Sequence, residues 1–199
     1  MTSADPALDR VLEALAVVRA AHPDRSVLVA VDGRSGVGKS TLCERLAARV
    51  GAAHVDGDDF YAGGDAAALA ALAPPERAAA VIDLRRLRAE ALEPLLAGRT
   101  ARWRPFDWDA GAGFAAEPVV CAPAPVVVLD GTYSGRPELA DLVDLPVLVT
   151  LDERERLARL AAREGGDLGD PEFALWEAAE DHYFAVVRPP ESFDLALPG

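Results

Sequence analysis

The sequence predicts a three-layer α/β domain in which helices cover both faces of a mostly parallel β-sheet. Three observations lead there. Short continuous apolar runs, the form taken by strands buried on both faces, recur at residues 27–31, 126–129 and 147–151. Stretches with apolar residues at helical spacing fall between them, and strands alternating with helices wind into a parallel sheet whose site lies at the strands' carboxyl ends. The 199 residues are enough for one such domain and too few to expect two, so residues 1–199 are read as a single domain.

Residues 7–20 place Leu8, Val11, Leu12, Leu15 and Val18 at helical spacing and read as an amphipathic helix. A turn around Pro23 leads into the first strand, 27–31. A glycine-rich turn follows, then a helix over 40–50 and a short strand over 52–55, which ends at the polar cluster 56–61. Residues 62–80 are rich in alanine and broken by Gly63-Gly64 and Pro74-Pro75, the composition of a loop carrying a weak helix. A helix over 84–97 stops at Gly98. Beyond the strands 126–129 and 147–151, helices over 153–163 and 171–187 precede a last strand at 193–197. No internal repeat or dividing linker is visible.

The formal charge of −13 repels polyphosphate chains, which argues against nucleic acid and anionic membrane as partners. No apolar run approaches the roughly 20 residues of a membrane helix. Residues 1–10 lack the basic-then-apolar order of a signal peptide. Cys43 and Cys121 have no metal-ligand spacing and read as reduced core residues of a cytoplasmic protein. His22, His54 and His182 are scattered and predict no metal cluster. Nothing in the sequence excludes a homo-oligomer. Of the 20 basic residues, only Lys39 is a lysine. A chain that uses arginine everywhere else keeps an ammonium at one position.

That position completes Gly33-Arg34-Ser35-Gly36-Val37-Gly38-Lys39-Ser40, which matches G-x-x-x-x-G-K-[ST] in spacing and is followed by Thr41. The context fits too, with a buried strand before and a helix after. Glycines let successive backbone N–H groups converge on phosphate oxygens, and the helix N-terminus adds partial positive charge. Lys39 can reach the β- and γ-phosphates of a bound nucleotide, and the Ser40 hydroxyl can ligate Mg²⁺. Residues 126–130 give four apolar residues followed by Asp130, an acid suited to hold Mg²⁺ directly or through water.

Asp56-Gly57-Asp58-Asp59-Phe60-Tyr61 crowds three carboxylates at the end of the second strand, a costly arrangement unless a cation or substrate hydroxyls offset it. Beside the phosphate loop, one of them can take the proton of an attacking hydroxyl. Arg156, Arg159 and Arg163 share one helix face. Two readings stand: an exposed face laced with ion pairs, or a lid over about 153–170, hinged near Gly165, Gly166 and Gly169, that carries arginines onto the phosphates. Phe106-Asp107-Trp108, in a proline-flanked stretch, can line an acceptor pocket. Trp103, Phe114, Trp176, Tyr183 and Phe184 are expected in the core.

These residues resemble the uridine kinase-like branch of the P-loop kinases, which includes uridine/cytidine, nicotinamide riboside and pantothenate kinases and phosphoribulokinase. The resemblance runs over nearly the whole chain after Ser26. It rests on residues 29–41, on Asp58-Asp59-Phe60-Tyr61, on Leu129-Asp130-Gly131-Thr132, and on Arg156-Leu157-Ala158-Arg159 with Arg163 behind. It implies a five-stranded parallel sheet, ATP as donor with Mg²⁺, Asp58 as the base, and Arg159 and Arg163 as lid arginines. It also implies that Asp83 binds ribose hydroxyls and that Phe106-Asp107-Trp108, with Tyr61 and Asp58, forms the acceptor site. Two departures mark this chain. The family usually has Glu where Asp130 stands, and its uridine enzymes follow the aromatic element with His and Arg, whereas here residues 109–114 supply neither. The expected reaction is transfer of the γ-phosphate to a small hydroxyl-bearing acceptor, uridine first among the candidates. A P-loop ATPase or a nucleotide-binding regulator without a small acceptor is the alternative.

Overall fold

Alternation along the first strand sorts its side chains onto two sides of a sheet. In β1 (Val27–Asp32), Val27, Val29 and Val31 enter one apolar core and Leu28 enters the other. The same division holds in β5 (Val126–Asp130), where Val126 and Val128 face the first core and Val127 and Leu129 the second. A strand buried on both faces has no polar positions to give up, which is why these segments read as unbroken apolar runs.

The computed structural model describes residues 5–63, 66–163 and 171–198. With β2 (Ala53–Asp56), β6 (Leu145–Thr150) and β7 (Leu195–Pro198), these strands form a five-stranded, all-parallel sheet in the order β2-β5-β1-β6-β7. Helices α1 (Pro6–Ala21) and α2 (Lys39–Val50) cover one face. The other is covered by α4 (Pro74–Ala80), by a helical stretch from α5 (Leu84–Arg86) through a π turn (Leu87–Leu92) to α6 (Glu93–Leu96), and by α8 (Pro171–His182). Pro94 falls just after the π turn, where the missing N–H of proline disturbs the regular ladder. Gly98, at φ 69°, ends the stretch.

Two features differ from the sequence reading. Residues 62–80, expected as a loop with a weak helix, hold two short helices, α3 (Ala66–Ala71) and α4. The buried Arg77 guanidinium fastens them by donating to the carbonyls of Leu69, Ala70 and Leu72 and to that of Leu175 in α8. Second, β3 (Ala101–Trp103) and β4 (Val119–Cys121) form a separate antiparallel pair that periodicity could not show. Each has three residues, too few for a period of two to register.

The chain leaves β1 toward β2 on one side and returns through β5 toward β6 on the other. The carboxyl ends of β1 and β5 are therefore a topological switch point, where α/β sheets open a crevice.

Candidate active site

A cavity of about 820 Å³ opens at that switch point, a size suited to small-molecule ligands. Its floor is the loop after β1. Gly36 holds φ 87°, and a Cβ there would meet Leu160 Cγ at 2.7 Å. Gly38 holds φ 98° at the N-terminus of α2, where a Cβ would stand 3.5 Å from Arg159 Nη1. Both positions need glycine for conformation, and Gly36 also for space. Of the predicted loop residues, Ser35, Gly36, Gly38, Lys39, Ser40 and Thr41 line the cavity. Gly33 anchors the strand end beneath, and the Val37 side chain is buried in the α2-side core.

Lys39 is 8% exposed and its Nζ donates to the Arg34 carbonyl at 3.0 Å and to Thr132 Oγ1 at 3.1 Å. Thr132 Oγ1 in turn donates to the Gly33 carbonyl at 3.0 Å. The ammonium is thus held across the mouth of the loop, between the segments that follow β1 and β5.

A residue the motif search passed over organises both segments. Asp32, fully buried at the end of β1, accepts from the backbone N–H groups of Gly33 (2.7 Å), Tyr133 (3.0 Å) and Gly135 (2.8 Å) and from the Tyr183 hydroxyl (2.7 Å). Burial pushes its carboxyl above the usual range, while these bonds and Lys39 pull it back. An acid closing an apolar strand just before the loop was the signal available in the sequence. Glu180 was missed as well. From α8 its carboxylate accepts from the Ser35 hydroxyl at 2.6 Å and from the Ser35 N–H at 3.3 and 3.2 Å.

Of the three crowded carboxylates, Asp56 and Asp58 open into the cavity and Asp59 does not. Asp59 accepts the Trp103 indole N–H at 2.7 Å, so the β3–β4 pair holds it apart while Asp56 and Asp58 face the cavity. Enclosure by the cavity walls pushes Asp58 above the ordinary carboxylate range. Lys39 and Arg163 oppose that shift, and Asp130 and Asp59 add to it. Asp56 is pushed up to about 6 by the same enclosure and by Asp58.

Asp130, 3% exposed, lines the cavity at the end of β5, and its Oδ1 has no hydrogen-bond partner. A buried carboxylate oxygen without a donor fits a cation. With Ser40 on the same cavity, these residues suit the Mg²⁺ that accompanies a nucleotide.

The cavity roof is α7 (Glu153–Arg163), which was predicted with those bounds. Arg156 is its buried anchor and is fully inaccessible. It pairs with Glu153 at 2.8 Å and Glu177 at 2.5 Å and donates to the Ser35 carbonyl at 3.2 Å. Arg159 and Arg163 line the cavity, Arg159 also pairing with Glu155 at 2.6 Å. The two sequence readings of this helix therefore divide among its arginines. The remainder of the expected lid, 164–170, lies outside the described residues.

The expected acceptor residues separate. Tyr61 and Trp108 line the cavity, joined by Phe173 and by Trp176, which was expected in the core. Phe106 is buried behind them, its ring 4.8 Å from each of Tyr61 and Trp108. Asp107 accepts from the Ala110 N–H in a turn. Asp83 is spent on the N-terminus of α5, where it accepts from the Arg86 N–H at 3.0 Å, and it does not line the cavity. Phe114, another expected core residue, is 46% exposed and packs on Arg86. The fold brings His54 of β2 beside Cys43 of α2 and Asp130, a contact between elements that linear spacing cannot reveal.

The architecture recurs in solved structures. Over 96% of this chain and 98% of the other, it superposes on a candidate fructose transport system kinase from a Silicibacter species with TM-score 0.72 at 23% identity. This is the P-loop kinase fold. A candidate uridine kinase from Bacillus stearothermophilus shares it at TM-score 0.67 and 16% identity, over 95% of this chain and 97% of the other. So does D-glycerate 3-kinase from Cryptococcus neoformans at TM-score 0.69 and 15% identity, over 98% and 95%. No protein-family model matches the chain. In sequence, 39 residues, 20% of the chain, are 49% identical to cytidylate kinase from Corynebacterium diphtheriae, a match spanning only 17% of that protein. Within this fold the loop after β1, Asp58 and the α7 arginines surround one cavity. Among the described residues, no helix is long and apolar enough to cross a membrane.

Proposed function

We propose that this protein transfers the γ-phosphate of ATP to a hydroxyl of a small acceptor, a riboside in the first instance. The observation that carries the reading is Asp58, a carboxylate opening into the same cavity as Lys39, Ser40, Arg159 and Arg163. Hydrolysis too can use an acid there to orient water, so it is the aromatic wall beyond Asp58, with Tyr61, Trp108 and Trp176, that favours a small acceptor.

The chain's own groups divide the work. The loop N–H groups and Lys39 hold the phosphates. Asp58 accepts the proton as the acceptor oxygen bonds to the γ-phosphorus and the bond to the β-phosphate oxygen breaks, leaving ADP. Arg159 and Arg163 stabilise charge on the group in transit. Ser40 and Asp130 would hold Mg²⁺, which supplies charge neutralisation on the β- and γ-oxygens when bound.

The riboside preference rests on the faces of Tyr61, Trp108 and Trp176, against which a flat ring can stack. It no longer rests on Asp83. The test is ADP release with uridine, cytidine, other nucleosides, nicotinamide riboside, pantothenate, D-glycerate and fructose as acceptors. The reading expects release that depends on a riboside and falls in Trp108→Ala. Activity confined to a non-ribosyl acceptor would remove the riboside and keep the kinase.

A further inference from the structure

Beneath the phosphate cavity, three side chains from three elements converge that the transfer reaction does not use together. Cys43 projects from α2 and is wholly buried, His54 from β2 is half-buried, and Asp130 ends β5. One ligand atom from each lies within 4.8 Å of the other two. His54 Nε2 stands 3.7 Å from Asp130 Oδ2, beyond hydrogen-bond reach. Two of the buried polar atoms, His54 Nε2 and Asp130 Oδ1, have no hydrogen-bond partner, and Nε2 has only the long ion-pair contact to Asp130 Oδ2. Orphaned atoms of this kind are rare in a folded interior, and here both belong to one three-residue cluster.

We propose that Cys43, His54 and Asp130 form a binding site for a borderline-soft divalent cation of the zinc class. The ligand set selects the metal. Thiolate and imidazole favour zinc-like ions, whereas Mg²⁺ and Ca²⁺ take oxygen ligands. The distances suit it as well. Bonds of about 2.0–2.3 Å in a tetrahedron place ligand atoms roughly 3.3–3.7 Å apart. The His54–Asp130 pair already has that spacing, and the thiol closes the set by a movement of about 1 Å. Binding displaces the Cys43 proton to solvent, and three protein ligands leave a fourth position for water. Asp130 belongs also to the phosphate cavity, so an occupied site draws one carboxylate away from the nucleotide's Mg²⁺.

The site is tested without ATP, so its failure is separable from failure of the kinase reading. The reduced protein is titrated with Co²⁺, a zinc surrogate with optical bands, and Zn²⁺ is then used to displace it. The expected result is a thiolate-to-cobalt charge-transfer band that saturates at one ion per chain. It should vanish in Cys43→Ser, and His54→Ala should weaken binding by at least about 100-fold, since even outer-sphere changes cost up to that much. Should Cys43→Ser not fold, His54→Ala at its half-exposed position decides alone. Absence of the band with both thiols free, a band that survives Cys43→Ser, or unchanged affinity in His54→Ala overturns the proposal.

Discussion

Asp58 and Asp59 are adjacent carboxylates with different surroundings, and the difference comes largely from one tryptophan. The Trp103 indole holds Asp59 at 2.7 Å, while Asp58 opens into the cavity near the charges of Lys39 and Arg163. Asp58→Asn should therefore lower kcat by roughly 10²–10⁴-fold while leaving the KM for ATP nearly unchanged, since only the proton acceptor is lost. Asp59→Asn, which keeps an oxygen for the indole, should retain near-normal kcat. Steady-state kinetics on the two variants decides, and the reverse pattern would show the wrong acid was chosen. The glycine-rich loop after β1 was legible in the sequence because its pattern is local: glycines, one lysine and a hydroxyl at fixed spacing. Asp32 and Glu180 were not, because apart from the Gly33 N–H their partners lie 101 to 151 residues away in the chain. Asp83 misled for the converse reason, its carboxylate being engaged three residues on by the start of a helix.

At the level of elements, α7 owes its place to Arg156. The guanidinium bridges Glu153, Glu177 and the Ser35 carbonyl, tying the arginine-bearing helix to α8 and to the loop it covers. Arg156→Ala should destabilise the fold by about 3 kcal/mol in denaturant unfolding. That is the low end for breaking a buried pair, because Glu153 remains largely solvated. Arg159→Ala and Arg163→Ala should leave stability and ADP binding close to wild type and slow transfer, since their interaction strengthens on the moving phosphoryl group. Normal turnover in both variants would reduce α7 to a structural cover. The helix bounds were readable from periodicity and charge, whereas the packing of its Leu160 on Gly36 is a tertiary match. The β3–β4 pair was unreadable because two three-residue strands joined through residues 104–118 carry too little pattern.

Across the molecule, whose formal charge is −13, the acids are shifted in both directions. Asp32, Asp56, Asp58, Asp59 and Glu180 are all raised, burial being the first cause in each, and Asp56 reaches about 6. Glu138 and Asp144 are lowered because, against a larger single effect of burial, hydrogen bonds and charge from an arginine combine with a backbone N–H, and Glu153 is lowered chiefly by its bond from Arg156; their contribution fades only below the ordinary carboxylate range. A raised acid keeps its proton in the folded state after the unfolded chain has lost it, so stability falls as pH rises through that window. The metal-free protein should accordingly melt at lower temperature near pH 6.5 than near pH 4.5. Asp56→Asn should flatten the slope, and a rising melting temperature over that range would contradict the assignment. The central claim concerns where the phosphate goes. The direct measurement is the fate of label from ATP carrying a radioactive γ-phosphate, incubated with Mg²⁺ and the acceptor panel. The account predicts label in a phosphorylated acceptor, lost in Lys39→Ala and in Lys39→Arg, whose planar fork does not replace a compact ammonium. Label appearing only as inorganic phosphate whatever acceptor is present, or transfer undiminished in either Lys39 variant, would contradict it.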